Sequence, residues 1–367
     1  MSLSRRRSRS ETRNSCKLSR LTKLILVFLP GILVIADFST ADETICVSVH
    51  KGVDSSEKEK KLRRIIFDND GNEPHFVKKL TALRQMMIEV GGKRGRPLLL
   101  SIRVPDSLDY CRAIGLDAQH WLENGLLDLM VVTSYFQLTD WSETAAIGEK
   151  YDIPVYTSLD EARSKDVAVI ELRSSLLAYR GRAAAALGAG IDGIQLFNFF
   201  DPNEPHWNEL GDQTSLLNMD KDYFGSVRGM GVSNGGTLPY TDNLTVETLR
   251  PDSPKVIGGT SETIAKIRLG PMKPTGVKAT LRLRFSSIVE SLDISLDGKQ
   301  IEIRKVDSEW MEADLGIETF GLITPQLHLV KVMRSDQGKP IQWLDVMVQE
   351  RHGIPKVDKK LKEEKGS

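Results

Sequence analysis

The chain has 367 residues, enough for about two domains, and its 40% hydrophobic and 27% charged content is that of a globular protein. The net charge is zero but unevenly spread: residues 1–23 hold eight basic side chains and one acid, so they carry +7 and residues 24–367 carry −7. An acidic body excludes nucleic acid as an expected partner, because phosphate backbones bind to positive surfaces.

An apolar run follows the basic N-terminal residues. Residues 24–36 are too short for a membrane-spanning helix of about twenty residues, but they fit the hydrophobic region of a secretory signal. Small residues at 39–41 would allow cleavage. We therefore expect residues 1–41 to be a signal peptide and the protein to be exported to the periplasm or beyond. The alternative is an uncleaved membrane anchor, which is the one case in which a membrane would be a partner.

Neither the cysteines nor the glycines indicate a metal ion or a cofactor. Cys16, Cys46 and Cys111 lack metal-ligand spacing, and the last two are either free thiols or a disulfide. The stretch Gly188-Ala-Gly190-Ile-Asp-Gly193 has the spacing of a dinucleotide fingerprint, but it closes a helix and enters a strand, whereas the fingerprint opens a helix. The glycines instead predict a helix end and a tight return.

Residues 42–61 are polar and predict a linker, and residues 62–224 alternate strands with helices. Apolar strands are predicted at 98–104, 128–134, 153–157 and 193–200, after a weaker one at 62–68. Helices are predicted at 76–90, 117–124, 141–150 and 173–189. Apolar strands that alternate with helices indicate a parallel sheet covered by helices.

The composition changes after this region. Residues 225–243 are glycine-rich and predict a connector. Residues 244–352 contain strands in which apolar and polar residues alternate, at 263–269, 277–285, 292–296, 326–332 and 341–348. Alternation of period two gives one buried face and one wet face, so these strands predict a β-sandwich. Asp297-Gly298 is a hairpin signal. The charged residues 353–367 predict a disordered tail.

One motif occurs twice, each time between a strand and a helix: Asn-Glu-Pro-His-aromatic at 72–76 and at 203–207. It is either a set of helix caps or a strand-end carboxylate in a sugar cleft. Glycoside hydrolysis requires two carboxyl groups. The candidates are Glu73 as the acid/base and Glu161 as the nucleophile, with Asp160 beside it; the alternative is that residues 160 and 161 only cap the next helix.

Other polar and aromatic residues follow the predicted parallel strands. Chemistry collects at the carboxyl ends of such strands. A sugar would be held there by hydrogen-bonding groups and by aromatic rings that stack on its apolar faces. The candidate substrate-binding residues are Arg103, Tyr135, Asn198, Asp201 and Trp207.

Three phrases, at 94–106, 125–135 and 193–201, resemble the second half of secreted bacterial TIM-barrel glycosyl-hydrolase-like proteins that are distantly similar to glycoside hydrolase family ten. Asn-Glu-Pro also resembles the acid/base motif of clan-A glycoside hydrolases. The resemblance implies a (β/α)₈ barrel followed by a β-rich domain, with polysaccharide or glycoside ligands. A full barrel needs about 250 residues, whereas residues 62–211 hold about five βα units.

The expected fold is therefore a partial TIM barrel followed by a C-terminal β-sandwich, with exposed sheet edges through which it could form a homodimer. The expected function is that of an exported glycosidase-like protein. Two alternatives stay open: a non-catalytic carbohydrate-binding or structural remnant, and a doubly wound α/β domain with an unrelated ligand.

Overall fold

A computed structural model describes three N-terminal strands and most of the chain from residue 74 onward. The described ranges are 23–29, 32–38, 43–48, 74–113, 116–132, 137–159, 167–196, 199, 201–225, 249–259 and 261–353. Within them, no helix is both long and apolar enough to cross a bilayer.

The described helices are α1 (Pro74–Arg94), α2 (Leu108–Ala113), α3 (Ala118–Glu123), α4 (Trp141–Tyr151), α5 (Val167–Arg173), α6 (Leu176–Gly188), α7 (His206–Glu209) and α8 (Gln213–Leu216). The strands up to residue 224 are β1 (Lys23–Leu29), β2 (Ile32–Phe38), β3 (Glu43–Ser48), β4 (Leu99–Val104), β5 (Leu129–Val132), β6 (Val155–Leu159), β7 (Gly193–Leu196) and β8 (Lys221–Phe224). The later strands are β9 (Lys255–Ile257), β10 (Thr263–Leu269), β11 (Val277–Phe285), β12 (Leu292–Leu296), β13 (Lys299–Gln300), β14 (Arg304–Lys305), β15 (Trp310–Leu315), β16 (Gln326–Arg334) and β17 (Ile341–His352).

Strands β1 to β7 form one sheet in which each strand lies beside its neighbours in sequence. The first two pairings are antiparallel, and β3 to β7 are parallel. The parallel pairings of β3 to β7 show the mixed α/β fold that the alternation of strands and helices predicts. A doubly wound sheet would reverse its strand order at a switch point, and the order among these strands has no reversal.

The N-terminal strands change one prediction. β3 lies within residues 42–61, which were expected to be a linker, and it pairs in parallel with β4. Residues 42–61 are charge-rich as a whole, and the short apolar run around Ile45 was therefore overlooked. β1 and β2 lie within the predicted signal peptide as an antiparallel pair; cleavage and export stay predictions.

Helices cover one face of the parallel sheet. Gly148 of α4 lies so close to β6 that a Cβ atom there would be 2.7 Å from Cγ2 of Val155. After α6, Gly190 turns the chain with a φ of +100°, which a side chain would disfavour, and β7 begins at Gly193. The predicted helix end and tight return are thus confirmed.

Two antiparallel sheets make up the C-terminal part, in the orders β10-β16-β12-β13 and β14-β15-β11-β17-β8, with β9 also paired to β17. Their inward side chains are buried, and the rings of Phe285 and Trp343 stack 6.4 Å apart. Asp297 and Gly298 both have positive φ between β12 and β13, which is the predicted hairpin turn.

Strand β8 pairs across the expected domain boundary. Residues 221–224 were assigned to the barrel-like domain, but β8 pairs with β17 of the second part. The sequence around residues 221–224 does not indicate which sheet they join, because their pairing partner lies about 125 residues further along the chain. Helix α6 packs on β8, and Gly181 lies where a Cβ atom would be 2.1 Å from the carbonyl oxygen of Asp222. Small residues on α6 therefore let the two parts approach closely.

Candidate functional site

The sequence-predicted site residues divide into two groups. Arg103, Asp201 and Trp207 are described by the structure. The two candidate catalytic carboxylates and two of the candidate sugar-binding residues lie outside the described residues: Glu73, Glu161, Tyr135 and Asn198. The neighbouring candidate Asp160 also lies outside them. The site is therefore built from the strands themselves.

The register of the parallel strands places their polar side chains on one face. Arg103 of β4 and Tyr156 of β6 lie in one row across the sheet, both aligned with Val131 of β5. Ser158 and Gln195 form the row two residues further toward the carboxyl ends. Since side chains alternate along a strand, residues two apart share a face. We call this the polar face; it carries Ser101, Arg103, Tyr156, Ser158 and Gln195.

The opposite face of the same strands is apolar and packs against the helices. Nine of its ten side chains are hydrophobic and one is a threonine: Leu100, Ile102, Val104, Met130, Val132, Val155, Thr157, Leu159, Ile194 and Leu196. Most of them are buried together with rings such as Trp121 and Tyr179. The hydrophobic effect thus accounts for one face only, and the polar face needs a separate explanation.

Burial makes the polar face chemically distinctive. Ser101 is 0% and Ser158 2% exposed, and neither hydroxyl has a hydrogen-bond partner in the described part of the chain. The side-chain carbonyl oxygen of Gln195 is likewise buried and has no hydrogen-bond partner there. A buried polar group without a partner costs about 1–3 kcal/mol. These groups therefore have unused hydrogen-bonding capacity. The buried Arg103 lies two residues from Ser101 on the same face.

The Tyr156 ring lies in space that is free because the neighbouring residue on β7 is a glycine. Gly193 lies beside it on β7, and a Cβ atom there would be 2.6–2.8 Å from three atoms of the Tyr156 ring. The ring therefore occupies the volume that any other residue at position 193 would fill. The polar face thus includes an aromatic ring whose position depends on this glycine.

Asp106 follows β4 and is 1% exposed. Its carboxylate accepts hydrogen bonds from the backbone N–H groups of Leu138 and Thr139, at 2.9 and 3.1 Å, and thereby fixes the chain that leads into α4. Burial raises the pKa of Asp106 to about 6, although the hydrogen bonds from Thr139 and Leu138 oppose the shift. Asp106 therefore holds residues 138 and 139, which lead into α4.

The loop after β7 presents Asp201 and Trp207 to solvent. Asp201 accepts hydrogen bonds from the backbone and side-chain nitrogens of Asn203, so it caps a turn. Its carbonyl oxygen accepts a bond from Nε1 of Trp207, at 2.8 Å, and the indole is 48% exposed. Pro205 is the N-cap of α7 and makes no side-chain cap bond. The described copy of the repeated motif therefore shapes a turn that displays an indole.

His206 of this motif lies beneath the loop. Its ring is 9% exposed and lies 4.8 Å from both Tyr179 and Phe199, measured between ring centroids. Its Nδ1 is 3.3 Å from the Glu204 carboxylate. Burial lowers the pKa of His206, although Glu204 opposes the shift. The imidazole is therefore a neutral packing element that anchors the loop.

In the part of the chain that the structure describes, no group of three or more His, Cys, Asp or Glu side chains is placed to bind a metal ion. Cys111 is buried there as a free thiol, and burial raises its pKa.

Sequence reasoning missed Ser101, Tyr156, Ser158 and Gln195. The strands were treated as nearly continuous apolar runs, which drew attention to the residues after them. The available signal was alternation inside the strands: Leu-Ser-Ile-Arg-Val at 100–104 and Val-Tyr-Thr-Ser-Leu at 155–159 place a polar residue at every second position or nearly so.

Searches against known proteins add little. No protein family and no curated protein matches the sequence. Among solved structures, one match is a glycoside hydrolase family 86 enzyme in complex with neoagarooctaose, seen as a variant (10% identity, 73% of this chain, 66% of the other, TM-score 0.22) and as wild type (12%, 77%, 69%, 0.23).

Another is a family 86 beta-porphyranase from the human gut bacterium Bacteroides plebeius (10%, 70%, 63%, 0.23). The chain thus spans about two thirds of the length of these enzymes. Likeness at this level leaves the fold and the activity of this chain to be argued from its own residues.

Proposed function

We propose that this protein binds a polysaccharide or glycoside on the polar face of its parallel sheet. The main support for this proposal is that the polar face holds buried hydroxyl, amide and guanidinium groups beside a tyrosine ring, while the other face is apolar. Sugars present many hydroxyl groups and apolar ring faces. Neutral hydrogen-bonding groups with an aromatic ring are suited to both.

The sheet also supports a relationship to a barrel. Its strands follow one another in sequence order with helices on one face, so the polar face corresponds to the inside of an arc. In (β/α)₈ barrels the active site lies at the carboxyl ends of the strands. We propose that β3 to β7 are such an arc, that the protein is exported, and that the open edges allow a homodimer, which sedimentation analysis would detect.

The catalytic extension of this proposal uses Glu73 and Glu161. Glu73 would donate a proton to the leaving glycosidic oxygen while Glu161 attacks the anomeric carbon, and water would then release the sugar. The alternative function is carbohydrate binding without cleavage. It is favoured by the described polar face itself, where the charged group is the guanidinium of Arg103 and the others are neutral.

Binding can be tested with two adjacent hydroxyls on opposite faces of β6. Ser158→Ala removes a group from the polar face, whereas Thr157→Val removes an equally buried hydroxyl from the helix-packed face. Loss of one hydrogen bond is worth about 1 kcal/mol, or roughly fivefold in affinity. On a glycan array followed by calorimetry, Ser158→Ala should weaken binding by that factor and Thr157→Val should not. Equal effects, or no glycan bound, would contradict the proposal.

Hydrolysis is tested separately with a panel of aryl glycosides and polysaccharides. Cleavage that is lost in Glu73→Gln and in Glu161→Gln, but kept in Glu149→Gln on the exposed side of α4, would support the catalytic extension. Binding without cleavage in the native protein would establish the non-catalytic alternative.

A further inference from the structure

The loop after β7 is fastened to the protein by a buried imidazole. We call residues 201–207 the indole loop, because they display the half-exposed indole of Trp207. His206, the residue before it, is 9% exposed, and its ring contacts those of Tyr179 on α6 and Phe199. The latter two rings also meet edge to face, with centroids 5.3 Å apart. Three mutually packed rings therefore attach the indole loop to α6.

The two nitrogens of the His206 ring have unequal surroundings. Nδ1 lies 3.3 Å from the carboxylate of Glu204, whose side chain is 42% exposed. Nε2 is buried and has no hydrogen-bond partner in the part of the chain that the structure describes. A neutral imidazole has one N–H group, which can face Glu204, whereas an imidazolium would bury a second N–H group without an acceptor. The closed position of the indole loop therefore favours the neutral ring.

The charged groups around His206 come from three elements and oppose one another. Glu204 of the indole loop and Glu209 of α7 favour the imidazolium, while Arg182 of α6 disfavours it. Two nitrogens of Arg180 bind the Glu209 carboxylate, at 2.8 and 3.1 Å, and offset its charge. The guanidinium of Arg182 lies 4.1 Å from the centre of the tyrosine ring that His206 contacts. Burial has the largest effect, so the pKa of His206 lies below its ordinary value.

We propose that His206 is a pH-dependent latch: acidification releases the indole loop from α6, and a pH near neutrality closes it. In the released loop the imidazole faces water and takes up a proton near the ordinary pKa of about 6.5. The closed loop resists that proton, so its advantage is complete above this pH and is lost as the pH falls below it. At pH 5.0 the opening equilibrium can rise by up to about 30-fold, the limit reached when the closed ring stays neutral.

The latch controls how the indole loop presents Asp201 and Trp207. Both are candidate sugar-binding residues, so control of glycan affinity by pH rests on the proposed function. Release of the loop does not rest on it, because release requires no ligand.

The test is amide hydrogen exchange of the full-length protein at pH 7.5 and 5.0, measured by mass spectrometry and corrected for the pH dependence of chemical exchange. Three backbone N–H groups report opening: those of Trp207, Asn208 and Leu210 donate to the carbonyl oxygens of residues 204, 205 and 206 in the closed loop. Their corrected rates should rise at pH 5.0, by up to about 30-fold, while those of α4 should not change.

Three variants separate the imidazole from its neighbours. His206→Phe keeps a ring in the packed position but cannot be protonated, so opening should no longer depend on pH. His120→Gln, on α3, is the matched control and should respond as the native protein does. Glu204→Gln removes a group that favours the imidazolium, so it should enlarge the response.

Unchanged corrected rates at pH 5.0, or a full response in His206→Phe that is folded by circular dichroism, overturn the proposal. Loss of the response in Glu204→Gln also overturns it, because the titrating group would then be the carboxylate. A glycan that the native protein binds should bind more weakly at pH 5.0 than at 7.5, and equally at both in His206→Phe. A loop that opens without that change overturns control of the glycan site, whereas absence of any glycan binding contradicts the proposed function alone.

Discussion

The ion pair of Arg173 and Asp345 is expected to be the strongest single link between the two parts of the molecule. The two side chains are 0% and 2% exposed, and two parallel hydrogen bonds of 2.7 Å join them. The guanidinium also lies 4.6 Å from the centre of the Phe224 ring, and Asp345 accepts a further bond from the backbone of Val346. Both charged groups are therefore stabilised by protein groups and not by water.

Removing one partner leaves the other as a buried charge. We expect Asp345→Asn and Arg173→Met each to lower the free energy of unfolding by about 3–5 kcal/mol. The double replacement Arg173→Met with Asp345→Leu removes both charges, so it should recover most of that loss. The more exposed pair of Lys331 and Glu262, whose charged atoms are 2.9 Å apart, is the control: Lys331→Met should cost less than about 1 kcal/mol.

The assay is urea unfolding of each variant, followed by fluorescence and circular dichroism. Burial raises the pKa of Asp345 even with Arg173 present. In Arg173→Met that pKa rises further, so stability is lost as the pH rises through the window above the unfolded value, and the deficit should shrink at acidic pH. A double variant no more stable than the single ones, or a deficit independent of pH, would refute the reasoning.

Two other predictions concern the candidate site. Gly193→Ala should destabilise the protein by about 1–3 kcal/mol and weaken glycan binding, because the new methyl group meets the Tyr156 ring. In a protein that already carries Tyr156→Ala, the same substitution should cost little further stability. An unchanged melting curve for Gly193→Ala alone would contradict this. For Asp106, whose pKa is about 6 in the folded state against an ordinary 3.8, the proton is held more tightly in the native than in the unfolded protein. Its contribution to stability should fall by on the order of 3 kcal/mol as the pH rises from about 4 to about 6, and Asp106→Asn should flatten that part of the stability profile in urea titrations.

Much of the local structure was predictable because its causes lie close together in sequence. The alternation in β10, β11 and β12 gave their bounds, and Asp297-Gly298 gave the turn, since both depend on neighbouring residues. The helix at 141–150 was predicted from spacing and is observed as α4, which Asp140 begins by capping Ser142. These features depend on local hydrogen bonds and side-chain periodicity.

The candidate site was less predictable. Of the residues chosen as following the strands, Asp201 and Trp207 prove to shape an exposed turn, and the polar face lies inside the strands instead. Which face of a strand is covered by helices cannot be read from one strand alone. A shift of one residue in register would exchange the two faces.

The sequence by itself determined that strands and helices alternate before residue 201, that an all-β part follows, and where most of these elements begin and end, because hydrophobic periodicity and turn residues act over a few positions. The tertiary structure alone decided that β3 and β8 are strands of two different sheets, that Arg173 meets Asp345, and that Ser158 and Gln195 share a face with Arg103. Each of those facts depends on partners tens to hundreds of residues apart, which only the packed chain brings together.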